Sequence, residues 1–193
     1  MKNSLLILAA ILLLSACSDS QLGTASPPPA FEGIDCSTLP HWSKPIEGVQ
    51  LNLQHIFCGE LNRKGRVVGF HAMPNGHPPS SYRDADLADK PNLQGIYTLR
   101  NIQLVFEGQH RKGFSSMFPS HCSAEQVKHS IVYSIQQQQG KCASPGWASC
   151  GPSNPDTSDS KFCSGLDGSR YLIASAQLRD NPQRINTAFP IYQ

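Results

Sequence analysis

The chain has 193 residues and a formal net charge of +2, from 16 lysines and arginines against 14 aspartates and glutamates. Its basic residues are scattered along the sequence. That excludes a polybasic coat for non-specific nucleic-acid binding, which is driven by many phosphate contacts and the release of their counterions. A compact site that handles one phosphate needs only a few local cations and is not excluded.

Met1-Lys2-Asn3, the apolar run from Leu5 to Leu14 and the ending Leu14-Ser15-Ala16-Cys17 follow the order of a secretory signal. The run is too short for a spanning helix, which needs about 20 apolar residues. Leu-Ser-Ala-Cys has the form of a lipobox, so residues 1–16 are expected to be cleaved off, leaving Cys17 as a lipidated N-terminus held on a membrane by its acyl chains. Ser18 follows the cysteine in place of an acidic residue, and the expected address is an exported lipoprotein at the outer membrane or its periplasmic face. Residues 17–30 are small, polar and proline-rich and read as a flexible tether. Residues 31–193 suit one domain.

Six cysteines fall in that domain: Cys36, Cys58, Cys122, Cys142, Cys150 and Cys163. An even number in a translocated chain predicts disulfides, because compartments outside the cytoplasm are oxidising. No Cys-x-x-Cys pair is present, so a zinc ribbon or a thioredoxin-like motif has no support. The short-range set Cys142, Cys150 and Cys163 is expected to brace the glycine- and proline-rich loop around it.

Along the domain, Ile46 to Glu60 has a mixed apolar period that fits a short helix leading into an extended segment. Arg66 to His71 reads as a strand, followed by a loop from Met73 to Tyr82. Ile96 to Glu107 alternates as a second strand. Ser123-Ala124-Glu125-Gln126 matches a capping box, with Val127, Ile131 and Ile135 at helical spacing behind it, and the helix should end near Gln136 to Gly140. Tyr171 to Ala176 and Ile185 to Phe189 read as two strands joined through Asp180-Asn181-Pro182. Strands with few helices, not in alternation, predict an α+β fold.

Three polar features stand out. Gln54-His55-Ile56-Phe57-Cys58-Gly59-Glu60-Leu61-Asn62 is followed by Gly65-Arg66-Val67-Val68-Gly69-Phe70-His71, so two histidines sit in glycine-flanked surroundings. His110-Arg111-Lys112-Gly113-Phe114-Ser115-Ser116-Met117-Phe118-Pro119 is a basic cluster running into paired hydroxyls, which by itself reads as a solvated loop. Thr187-Ala188-Phe189-Pro190 would place Thr187 and Phe189 on one face of a strand. A metal site built from His71, His77, His110, His121 and His129 lacks tight ligand spacing of the His-Glu-x-x-His kind.

The pattern His-Ile-Phe-x-Gly-Glu-Leu-Asn-x-x-Gly-x-x-x-Gly-Phe-His resembles the bacterial branch of the EndoU endoribonucleases. The lysine with a serine four residues later before Phe-Pro, and the terminal Thr-x-aromatic-Pro, are similar to that family's next two blocks, in the same order. The resemblance spans about Gln54 to Gln193 and implies a barnase-EndoU-colicin type of fold, α+β with antiparallel sheet, few helices and here a disulfide brace. It implies an activity as well: cleavage of single-stranded RNA 3′ of uridine, leaving a 2′,3′-cyclic phosphate and a 5′-hydroxyl.

By the same resemblance His55 would be the general acid, His71 the general base and Lys112 the cation that offsets charge on the phosphoryl oxygens. Ser116, Thr187 and Phe189 would meet the base. Ser115 stays open as an alternative to Ser116, as does Arg111 to Lys112. Phe189 stands where relatives often have tyrosine, so the stacking surface is kept and a hydroxyl is lost. No cofactor is implied, although some relatives respond to manganese. The reading from another class is a non-catalytic, disulfide-braced envelope module of the same shape. Roles that follow from export are scavenging of external RNA or attack on another cell's RNA, the second with an immunity or inhibitor protein as partner.

Overall fold

The structure, a computed structural model, describes residues 31–106, 108–155 and 159–193. The signal, lipid-anchor and tether readings lie outside the described residues. Among the described residues, nine strands and one α-helix run in the order β1 (Gln50–Leu51), β2 (Glu60–Leu61), β3 (Val67–Val68), β4 (Tyr82–Asp89), β5 (Tyr97–Val105), β6 (Gln109–Met117), α1 (Ala124–Gln136), β7 (Ser149–Pro152), β8 (Leu172–Gln177) and β9 (Arg184–Pro190). A π-helical turn, Gln54–Cys58, stands between β1 and β2. The strands form a four-stranded sheet in the order β1-β9-β8-β7, an antiparallel β4-β5-β6 sheet and the small β2-β3 pair. Among the described strand pairs only β1 with β9 runs parallel. The fold is α+β, mostly antiparallel, with few helices, and it carries three disulfides.

The capping box predicted at Ser123 is formed: the Ser123 side chain accepts from Gln126 N, and the Gln126 side chain accepts from Ser123 N. The helix buries Val127, Ile131 and Val132 against the four-stranded sheet, in one apolar core with Leu51, Ile173, Ile185 and Ala188. Close approach needs Gly151, because a Cβ there would lie 2.0 Å from Ser134 O. A second core lies under the β4-β5-β6 sheet around Phe70, Leu99, Ile102, Leu104 and Met117.

Several readings are corrected. The strand expected over Arg66 to His71 covers only Val67–Val68, because Gly69 and Phe70 take left-handed backbone angles, φ 78° and 63°. The basic cluster is no solvated loop: it is β6, paired along its length with β5. Strands β4 and β7 carried no strand signal. Cys142 pairs with Cys150 as a local brace, but Cys163 pairs with Cys122 at the start of the helix, and Cys36 pairs with Cys58. Tertiary approach of α1 to the segment before β8 decides that partner: Cys163 N donates to Ser130 Oγ at 2.8 Å.

Between β8 and β9 the register steps from Ala176↔Thr187 to Gln177↔Ile185, leaving Asn186 as an extra residue in β9. Such a bulge re-aims the side chains beyond it. Ile185 and Ala188 both join the helix-side core, while Phe189 packs with Ala174 on the other face.

Candidate active site

The two histidines of the first motif meet because of one glycine. Gly69, at φ 78°, has no room for a Cβ, which would lie 2.2 Å from His55 O. The backbone can therefore cross the π-helical turn so closely that Phe70 N donates to His55 O at 2.6 Å and His71 N to Ile56 O at 2.7 Å. The imidazoles end with ring centroids 5.8 Å apart and planes 28° from parallel. Both are buried, at 6% and 7% exposure.

The two rings have different partners. His55 Nδ1 lies 2.8 Å from Glu60 Oε1, and a carboxylate can only accept, so Nδ1 carries the proton. Asn52 fixes this pair: its Oδ1 accepts from His55 N at 2.9 Å and its Nδ2 donates to Glu60 Oε1 at 3.0 Å. Burial pushes the Glu60 carboxyl up, but the His55 hydrogen bond and the nearby His55 and His41 outweigh it and hold the group below its ordinary value. Glu60 is thus a carboxylate anchoring one imidazole. Its other oxygen lies 3.8 Å from His41 Nε2.

His71 Nδ1 faces the Ser116 carbonyl at 3.1 Å and Ser115 Oγ at 3.0 Å. A carbonyl also only accepts, so the proton sits on Nδ1 and Nε2 keeps its lone pair. Burial, then the Lys112 ammonium, then His55 depress this group well below the usual histidine value, so it is neutral at neutral pH. Lys112 Nζ donates to Gly69 O and to Ser115 Oγ, the latter at 2.9 Å. Burial lowers the Lys112 ammonium to about 7. Ser115 Oγ in turn donates to Phe70 O at 2.5 Å, which makes it an acceptor for both Lys112 and His71. Histidine, lysine and serine form one hydrogen-bonded unit.

Ser116, the next residue, belongs to the other side of the site: its hydroxyl donates to Pro190 O on β9. There Phe189 stacks on His71, centroids 5.1 Å apart at 28°, and Thr187 is buried at 8% exposure. The structure therefore brings together His55, His71, Lys112, Ser115, Ser116 and Phe189, while Thr187 is buried two residues before Phe189 on the same strand. It separates the two alternatives that the sequence left open: Ser115 joins Lys112 and His71 while Ser116 joins β9, and Lys112 turns inward while Arg111 is exposed. Glu60 and Asn52 carried no role in the sequence reading. The signal for Glu60 was its place five residues after His55 at the end of the same turn.

Cavity size does not point here. A cavity of about 810 Å³ is lined by residues including His121, Gln126, Asp159 and Arg170, while one of about 260 Å³ lined by His41, Gln54, Gly59, Glu60, Leu61 and Phe106 adjoins the Glu60 side. Among the described residues no group of three histidine, cysteine or acidic side chains could hold a metal ion, and no helix is long and apolar enough to cross a membrane.

Comparison with curated proteins and with solved structures finds no match in either. The family model described as bacterial EndoU nuclease matches residues 50–192, which takes in both histidines, Glu60, Lys112, the paired serines and the Thr-x-Phe-Pro end. With that match over well more than half its length, the chain belongs to the bacterial EndoU nuclease family.

Proposed function

We propose that the protein is an endoribonuclease that cuts single-stranded RNA 3′ of uridine by attack of the ribose 2′-hydroxyl on the adjacent phosphate. The single observation that carries this reading is the unlike partnering of two imidazoles 5.8 Å apart, a carboxylate on His55 and a carbonyl on His71. His71, neutral with a free Nε2, takes the 2′-hydroxyl proton. His55, its ring held through Nδ1 by Glu60, gives a proton to the departing 5′-oxygen. The bond formed is 2′-oxygen to phosphorus and the bond broken is phosphorus to 5′-oxygen. The products are a 2′,3′-cyclic phosphate and a 5′-hydroxyl, with no water consumed. The Lys112 ammonium offsets charge on the phosphoryl oxygens. DNA lacks the 2′-hydroxyl and is not a substrate.

Ser116 and Thr187 meet the edge of the uracil, and Phe189 supplies the aromatic surface beside it. No metal is required, and manganese acts, if at all, without dedicated protein ligands. The three disulfides support an exported setting. Anchoring through Cys17 is tested by labelling with a fatty acid, which Cys17→Ala should abolish.

The central test is cleavage of an RNA bearing one uridine by the wild-type protein and by His55→Ala, His71→Ala and Lys112→Ala. Loss in all three variants, and loss when that ribose is 2′-deoxy, is the expected result. A folded wild-type protein that leaves the RNA intact, with and without manganese, would put the non-catalytic envelope module in its place.

A further inference from the structure

A singly exposed apolar side chain is ordinary at a protein surface, and what sets Trp147 apart is its contact with Phe189 of the site. Trp147 is 58% exposed, at the tip of the loop closed by Cys142–Cys150. That loop is pinned further by Cys142 N donating to Ala148 O at 3.0 Å and by Lys141 Nζ donating to Trp147 O at 3.3 Å. Its position over the site follows from strand register. Cys150 of β7 lies opposite Ala174 of β8, which lies opposite Phe189 of β9. Ala174 brings only a methyl to this row, so the loop leans across it and sets the Trp147 ring 6.0 Å from Phe189 at 52°. Phe189 stacks on His71, and His71 on His55. A continuous run of rings thus leads from the buried imidazoles out to solvent.

A base inserted between Trp147 and Phe189 would need two contact spacings of about 3.5 Å each, more than the 6.0 Å between the rings. The open surface is therefore the outer face of the indole. We infer that Trp147 is a stacking platform for the base of the nucleotide next to the cleaved one, held in place by the Cys142–Cys150 disulfide. The inference rests on the RNA-cleaving reading. Every base has a π-face, so such a platform grips a strand without selecting its sequence. A pinned loop loses little freedom when the base docks.

The test uses two RNAs with one uridine each, identical except that the flanking nucleotides carry purines in one and are abasic in the other. The wild-type protein should show a KM lower by on the order of tenfold for the purine-flanked RNA. Trp147→Phe should keep most of that preference. Trp147→Ala should lose it, and Cys142→Ser/Cys150→Ser should follow Trp147→Ala. An undiminished preference in Trp147→Ala overturns the inference.

A second arm reads binding without chemistry. Trp42→Phe leaves Trp147 as the one tryptophan. Its fluorescence should be quenched saturably by a 2′-deoxyuridine oligonucleotide that cannot be cleaved, and saturable binding without quenching refutes the platform. Quenching by a protein that cuts no RNA would leave the platform standing and remove the nuclease reading.

Discussion

Lys112 makes the most demanding prediction, because its task needs a charge that its surroundings resist. Its ammonium donates to Gly69 O and Ser115 Oγ, both neutral, and burial brings it from 10.5 to about 7. Phosphoryl charge is offset only while the lysine is protonated, and His71 is already neutral because its own value lies well below 6.5. The kcat/KM profile should therefore be level in mildly acidic solution and fall above about pH 7, roughly tenfold for each further unit. Lys112→Arg keeps a charge that does not titrate, so its profile, whatever its height, should lose the lysine's share of this limb and keep only the share that loss of the His55 acid proton imposes. An unmoved alkaline limb in Lys112→Arg would refute the reasoning and assign the limb to another group.

Linkage supplies a second readout of the same shift. The folded value is depressed, so between about pH 7 and 10.5 the unfolded chain binds a proton that the folded chain does not, and stability rises with pH through that window. Lys112→Met should flatten this rise, as measured by denaturant unfolding at several pH values. A rise of equal slope in both proteins would show that the buried ammonium is not its source.

The remaining predictions concern groups that support the site or the fold. Glu60→Gln removes the carboxylate that steadies His55 and should lower kcat by on the order of 10²-fold with an unchanged circular dichroism spectrum. Gly69→Ala places a Cβ 2.2 Å from His55 O at φ 78°, so both melting temperature and activity should drop, by more than 1 kcal/mol in stability as an order-of-magnitude floor. Ser123→Ala removes one half of the capping box and should cost about 1 kcal/mol, roughly 2–4 °C in melting temperature, with activity at 25 °C unaffected. Replacing both Cys122 and Cys163 by serine opens a link of sequence separation 41 and should cost roughly 3–4 kcal/mol in an unfolding titration.

Legibility followed the range of the interactions. The capping box at Ser123, the strand β5 and the paired strands β8 and β9 were readable because each depends on local spacing, propensity or turn residues. The strands β4 and β6 were not. Tyr82–Asp89 carries three aspartates and Gln109–Met117 carries three basic side chains and a glycine, all weak strand formers. They are strands because β5 offers each a hydrogen-bonding edge and an apolar face. Strand β7, with Gly151 and Pro152, exists through its pairing with β8.

The residue types of the site, two histidines, a lysine and a hydroxyl pair, were set by the sequence, and so was their order along the chain. Their assembly was not, because the separations from His55 to Lys112 to Phe189 are bridged only by packing. The left-handed turn at Gly69 and Phe70 brings His71 over His55, the β5–β6 register turns Lys112 inward, and β9, bulged at Asn186, carries Phe189 onto His71. Composition likewise announced disulfides, yet which thiols meet depended on where α1 and the sheets came to rest. Sequence carries chemistry and local geometry within a few residues, while contacts between distant segments are decided by burial of the two apolar cores, which only the folded chain completes.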